Sequence, residues 1–542
     1  MLPRSRVVCA ALVAMLSLAW VRAQAPVTPI LGKISFPNSG SAAAQPAFVR
    51  GVLLLHSFEY DDAIAAFREA QRIDPGFALA YWAEALSYDQ PLWFNENIDK
   101  ARAALARLAP TAAARQAKAP TAREKGYLDA VEKLFGDGSK SVRNRAYADR
   151  MAELSRANPA DDEAAAFCAL ALLGTIPNGE RNTQISLEAG RIATDILKRN
   201  PLHPGAAHYA LHAYDDGEHA AMGLEAARIY AKIAPASSHA QHMPSHAFLP
   251  LGLWDEASRS DEAAWRTSVD LARRKGLSAA QHDYHALGWL HYEYLQQGRF
   301  AQAKSLTPFV ERALAESGRG GPVTAMHHVE SEIGRGNGPL SLQNELASMR
   351  ARFIVESGNW DAMKGQGSFG NVDELFALGL ASLKLGDGAR VEAALEQLQG
   401  ARAAAPDAAN KQIAEIMYRE VGGAYQLMRG EKANGLATLA AAAKLEAAMP
   451  KPIARPYPIK PAGELYAEAL LQFGDAAGAV REFQAALKRT PRRAQSMIGL
   501  ARAAAAAKQP ALASKTAREF VAMWKGADAG RPEVKEAQAL AR

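Results

Sequence analysis

Ten of the thirteen histidines fall between His203 and His291, a stretch in which even placement would put about two. His208 and His212 are four apart, and His239, His242 and His246 are spaced by three and four, so each set can project from one side of a helix. Imidazole nitrogen binds copper, zinc or nickel well, and three histidines about 2.0–2.1 Å from an ion form a known catalytic arrangement. No cysteine accompanies them, which disfavours iron–sulfur clusters and structural zinc. The spacing points to a multi-histidine transition-metal site, copper or zinc first. Its candidate ligands are His208, His212, His239, His242, His246 and, by the register given below, His285. Six exceed the need of one ion, so either some only support the ligands or a second ion is present. The plainer reading is that these rings hydrogen-bond a ligand in a groove or pack against neighbouring helices.

Pro244 stands among them. Ser238 and Gln241 spell a capping box that would start a helix near His239, and Pro244 inside that helix would cost about 3 kcal/mol. Either a kink re-aims His246 relative to His242, or the helix starts at Pro244 and His239 and His242 lie in a preceding loop. Asp215 and Asp216 follow His212; Asp215 with Glu218 reads as a capping box for the next helix, ahead of a role in orienting imidazoles. His219 is expected on the outer layer of that helix, and His203, before Pro204, in a loop. The adjacent His327 and His328 diverge by about 100° on a helix and share one ion poorly. Glu464 and Glu468, four apart, offer a base, a ligand or a socket for a basic peptide, against an ordinary exposed pair. Cys168, within AAAFCALALL, reads as a small buried hydrophobe rather than a nucleophile.

What must position these residues is a repeat. Ala63, Phe67, Ala70 and Pro75 share their spacing with Ala479, Phe483, Ala486 and Pro491. Steps of four and three place small and large apolar groups on one helical face, and the proline follows the helix end. Gly252, Gly298 and Gly358 are each followed two residues later by an aromatic, and Gly386 and Gly430 look like the same turn without it. These residues resemble the tetratricopeptide repeat, a helix-turn-helix unit of about 34 residues, over roughly residues 44–527. The resemblance implies an all-α solenoid, a right-handed superhelix whose first helices line a concave wall. Counted from the turn glycines, His239, His242, His246 and His285 fall on first helices. Counted from Pro235, so do His208 and His212. Segments 104–146 and 318–345 fit the period poorly, and Pro452 to Pro461 reads as a break in the array or a strap across its groove.

The stretches SSHAQHMPSHAFLPLGLWDEA, HPGAAHYALHAYDD and ALAYWAEALSYDQPLW are further similar to a bacterial family of exported repeat proteins with histidine-rich blocks. That pattern has a histidine where this chain has Gln90, which weakens a ligand role for the first units, although His56 remains available.

Arg4 and Arg6, the apolar run Val7–Trp20 and Ala23 describe a secretory signal, so the expected mature chain starts at Gln24 and is periplasmic or secreted. The signal removes Cys9 and three arginines from a chain of formal charge +6, leaving too little charge for DNA or an anionic membrane as main partner. No later run is apolar enough to span a membrane. With 7% aromatics in 542 residues and abundant alanine, the composition favours close-packed helices. The expected organisation is signal peptide (1–23), extension (24–43), N-terminal repeats with an irregular segment (44–200), central histidine-rich repeats (201–317), an irregular segment and further repeats (318–450), and C-terminal repeats (451–542). Two functions follow. One is a metal site on the concave face which, if catalytic, polarises a small substrate or activates water or oxygen. The other is a non-enzymatic groove for a peptide or partner protein.

Overall fold

The periodic apolar positions do become packing surfaces. Ala63, Phe67 and Ala70 on the helix Tyr60–Ile73 are buried, as are Ala479, Phe483 and Ala486 on Ala476–Arg489. Phe67 lies over Gly51 and Phe483 over Gly499 of the neighbouring helices, so each large ring occupies the space a side chain on that glycine would need. The computed structural model describes residues 30–177, 180–317, 342–367 and 369–542, and they form antiparallel helix pairs stacked in sequence order. The fold is an all-α solenoid. Its two short strands, Asp89–Gln90 and Asn95–Glu96, make only a two-stranded ribbon. Among the described residues no helix is long and apolar enough to cross a membrane. The secretory signal and His327 with His328 lie outside the described residues.

The two helices of a pair differ in composition for a reason. Second helices such as Thr183–Arg199 and Trp254–Lys275 bury one face and wet the other. Two first helices are buried all round: every residue of Ala78–Leu86 and of Tyr284–Gln296 is covered. A helix enclosed on every side belongs in an interior, not on an open wall. The expected concave wall therefore exists, but it is closed over.

Three contacts close it. His208 reaches the backbone carbonyl of His56 across 152 positions of sequence. At the other end, the C-terminal units sit on the tips of the central ones: Trp254 donates to Arg492 O at 2.9 Å, and Trp524 donates to Gln296 O at 2.8 Å. Gly252, with φ +66°, is held against Pro491 so closely that a side chain would meet its carbonyl. The third closure is the segment 452–461, which does act as a strap. Arg455 pairs with Glu345 at 2.6 Å, Tyr457 donates to Asp373 at 2.9 Å, and Arg352 donates to the Pro456 carbonyl at 3.0 Å. The chain thus fills this part of its own groove.

Segment 104–146 is helical rather than a loop crossing the array. It is regular, with helices Ala112–Lys118, Ala122–Leu134 and Lys140–Ala157, the second opened by a complete Thr121/Glu124 capping box. Of segment 318–345, residues 318–341 lie outside the described residues, and a helix runs over Leu342–Ser357.

Candidate metal centre

The six candidate ligands fall into two groups of three rather than around one point. His208 and His212, one turn apart on the helix Pro204–Ala213, meet His239 from the short helix Ser238–His242. His242, at the end of that helix, joins His246 from Ser245–Phe248 and His285 from Tyr284–Gln296. In each group one donor atom per ring lies within 4.8 Å of the others. The rise between His239 and His242 is about 4.5 Å along the helix, so a single helical turn carries a ligand of each group.

Pro244 arranges this. The N-cap is Ser237, whose hydroxyl accepts from Ala240 N; the predicted Ser238/Gln241 box does not form. Ser238 instead donates to Ala264 O and Asp283, and Gln241 to Ala231 O. The backbone keeps helical angles through Met243 and Pro244. Lacking an N–H, the proline breaks the ladder, and His246 N turns to Met243 O, three residues back rather than four. Of the two expectations, the kinked helix is the one observed.

Partners on the far ring nitrogens fix where the protons sit. A carbonyl oxygen only accepts, so His208 carries its proton on Nδ1, donating to His56 O at 2.7 Å. His242 Nδ1 hydrogen-bonds Asp261 at 2.6 Å, and His246 Nδ1 hydrogen-bonds Asp215 at 2.9 Å. Burial drives the pKa of His208 and of His242 down to about 3, so neither ring holds a second proton near neutrality. His242 Nε2 and His246 Nε2 lie 3.0 Å apart, within hydrogen-bond distance. His208 Nε2 likewise lies 2.7 Å from His239 Nε2 and 3.0 Å from His212 Nε2. Two imidazoles bound tetrahedrally at zinc distances would be about 3.3 Å apart, so each group could hold an ion.

Each group has an aromatic cover. Phe58 lies with its ring centroid 4.2 Å from that of His208, and it stacks on His212 and His239. Trp289 contacts His242, His246 and His285 at 5.0, 4.6 and 5.3 Å. Behind His242, Asp261 touches Glu293, and both are fully buried. Desolvation pushes both carboxyls well above the carboxylate range, so the pair retains protons at neutral pH.

His56, Glu163 and His203 make a third cluster with different chemistry. His203 is not a passive loop residue: it is buried and caps Pro204–Ala213, its Nδ1 accepting from Ala206 N at 3.1 Å. Its proton is therefore on Nε2, 3.2 Å from Glu163. His56 takes the Tyr209 hydroxyl on Nδ1 and points Nε2 at Glu163, 2.8 Å away. Against its own desolvation, the two imidazoles hold Glu163 down to about 2. The cluster gathers two imidazoles around one buried carboxylate, and it props the His56 carbonyl that accepts from His208.

Other expectations are corrected. Asp215 does not cap the next helix; it orients His246, while Asp216 accepts from the backbone of Glu218 and His219 and from the His219 ring at 2.7 Å. His219 precedes a short 3₁₀ turn rather than lying within a helix. Glu464 is neither exposed nor open to a ligand, being enclosed by Arg493, Lys460 and Ser496; Glu468 pairs with the same Lys460. Gln90 sits in the short ribbon and accepts from Asn95. Cys168 is buried, and desolvation raises its thiol to about 11, as befits an inert core residue. Phe58, Trp289, Asp261 and Glu293 were not legible as site residues, since no spacing ties them to the histidines.

Neither a family model nor a curated protein matches the chain. Similar solved structures include Cut9 in the APC/C hetero-tetramer Cut9–Hcn1, with 13% identity, a TM-score of 0.29 and 94% of this chain covered against 78% of that one. A tetratricopeptide repeat protein from Parabacteroides merdae ATCC 43184 shows 13% identity and a TM-score of 0.29, covering 56% of this chain and 98% of its own. The tetratricopeptide domain of P58(IPK) shows 13% identity and a TM-score of 0.23, covering 86% and 99%. Likeness at this level adds nothing to the architecture, which rests on the helices described above.

Proposed function

We propose that the chain is an exported metalloprotein holding two transition-metal ions, copper or zinc, one in each histidine triad. The observation that carries this reading is the convergence of three imidazoles in each group, as at His242 and His246, whose Nε2 atoms lie 3.0 Å apart with Asp261 and Asp215 behind the Nδ1 atoms. Neutral imidazoles backed by carboxylates are the usual surroundings of bound zinc and copper. An ion held by three histidines keeps a position for water, oxygen or a small substrate, and polarising that molecule is the chemistry it would supply.

Metal analysis of the purified protein tests this. Wild type should carry about two ions per chain, and His242→Ala and His208→Ala about one each. Background metal in all three would refute the reading.

A second reading, a platform for a partner protein, draws on the stacked helix pairs themselves. The segment 452–461 already lies across the first helices, so a partner or peptide seated there would have to displace it. Partner capture that is unchanged by both alanine variants, with metal at background, would favour this second reading.

A further inference from the structure

His239 and His242 belong to different groups yet sit three positions apart in the five-residue helix Ser238–His242. Side chains three apart on a helix are neighbours, their Cβ atoms about 5–6 Å from each other. The two groups therefore share this turn, and the chain ties them together twice more.

One tie runs through Asp215. The helix Pro204–Ala213 supplies His208 and His212 to the first group, and Asp215, just beyond its end, hydrogen-bonds His246 of the second at 2.9 Å. The other tie runs through Asp283, which lies two residues before His285. Its carboxylate accepts from Ser238 Oγ at 3.0 Å, beside His239, and from Ala286 N at 3.0 Å, at the start of the helix that carries His285. Ser238 and Asp283 are both buried.

The ties join three different pairs of ligands: His239 with His242, His212 with His246, and His239 with His285. Each is one helical turn or one hydrogen bond long. Ions seated in the two groups would consequently lie about 5–10 Å apart. Two divalent ions at that range repel each other enough, even at the dielectric constant of water, to weaken binding of the second at least about tenfold. Burial of His208, His239, His242 and His246 leaves little water to screen them further.

Building on the two-ion reading, we infer that the two histidine groups are halves of one dinuclear copper centre, joined at the His239–His242 turn, rather than two independent sites. Each ion then sets the affinity and the magnetic environment of the other.

Electron paramagnetic resonance of the full-length protein loaded with copper(II) tests this, beside His212→Ala, which keeps the second group, and His285→Ala, which keeps the first. The wild-type spectrum should differ from the sum of the two one-ion spectra, with broadened lines and a half-field signal that neither variant shows. Chelator competition gives an independent readout: the overall affinity of wild type for two ions should fall at least about tenfold below the product of the variants' affinities for one. If either variant does not fold, His208→Ala replaces His212→Ala, and His246→Ala replaces His285→Ala. A wild-type spectrum equal to the sum, or an overall affinity equal to the product, would overturn the inference. Wild type that holds fewer than two copper ions would instead overturn the two-ion reading beneath it.

Discussion

His242 and His246 bring their Nε2 atoms within 3.0 Å of each other, with Asp261 and Asp215 against the Nδ1 atoms on the opposite sides of the rings. Such an arrangement is stabilised by whatever cation it binds. A ligand that binds only the folded chain adds about 2.7 kcal/mol at a hundredfold excess over its dissociation constant. Copper or zinc should therefore raise the melting temperature of the metal-free protein by several degrees. His246→Ala should lose part of that rise, and an identical rise in wild type and variant would contradict the assignment.

Asp215 acts on the metal only through His246. Replacing it by Asn keeps the size but removes the charge that fixes the imidazole, and losses of about 10–100-fold in affinity are typical of such partners. Competition with a chelator should show one of two ions released more easily from Asp215→Asn. Lys198→Ala, at an exposed ion pair with Asp195, should behave as wild type.

Acid should unfold the metal-free protein early. His208, His242 and His291 are buried neutral with pKa values lowered by desolvation to about 3, against 6.5 when exposed. Between those values the unfolded chain binds protons that the folded chain refuses, so stability falls as the pH drops from 6.5 toward 3. Below 4.5 the paired Glu163 and Glu464, both held near 2, add to the loss. Thermal melts at pH 7.5 and 5.0 should give a lower midpoint at 5.0, and equal midpoints would show that these rings are not buried neutral.

Periodicity made the helix pairs legible, since Ala63, Phe67 and Ala70 reveal a packing face whatever surrounds them. It also placed all six histidines on first helices. Convergence into two groups was not legible, because it depends on Pro244 keeping helical angles while losing one backbone bond. Nor was the role of Asp215: a residue one turn before Glu218 fits a capping box locally, and its partner His246 is 31 positions away. Closure of the groove was hidden for the same reason. The strap's partners, Glu345 and Asp373, lie 110 and 84 residues from Arg455 and Tyr457, and local spacing carries no record of such pairs.

Glu464 shows what that closure depends on. Its two oxygens accept from Arg493, Lys460 and Ser496 at 2.8, 2.9 and 2.5 Å in a fully buried setting, and Arg493 also binds Glu356 at 2.6 Å. These contacts tie the strap's last cation to the helices Ala462–Gln472, Ala494–Ala506 and Leu342–Ser357. Glu464→Gln keeps the shape but leaves Arg493 and Lys460 short of a buried countercharge, and breaking one partner of such a pair costs about 3–5 kcal/mol. Chemical denaturation should show that loss, while metal content stays at the wild-type level because both triads lie in other units. A variant as stable as wild type would mean that water reaches these charges, and that the strap is held by its tyrosine and prolines rather than by its ion pairs.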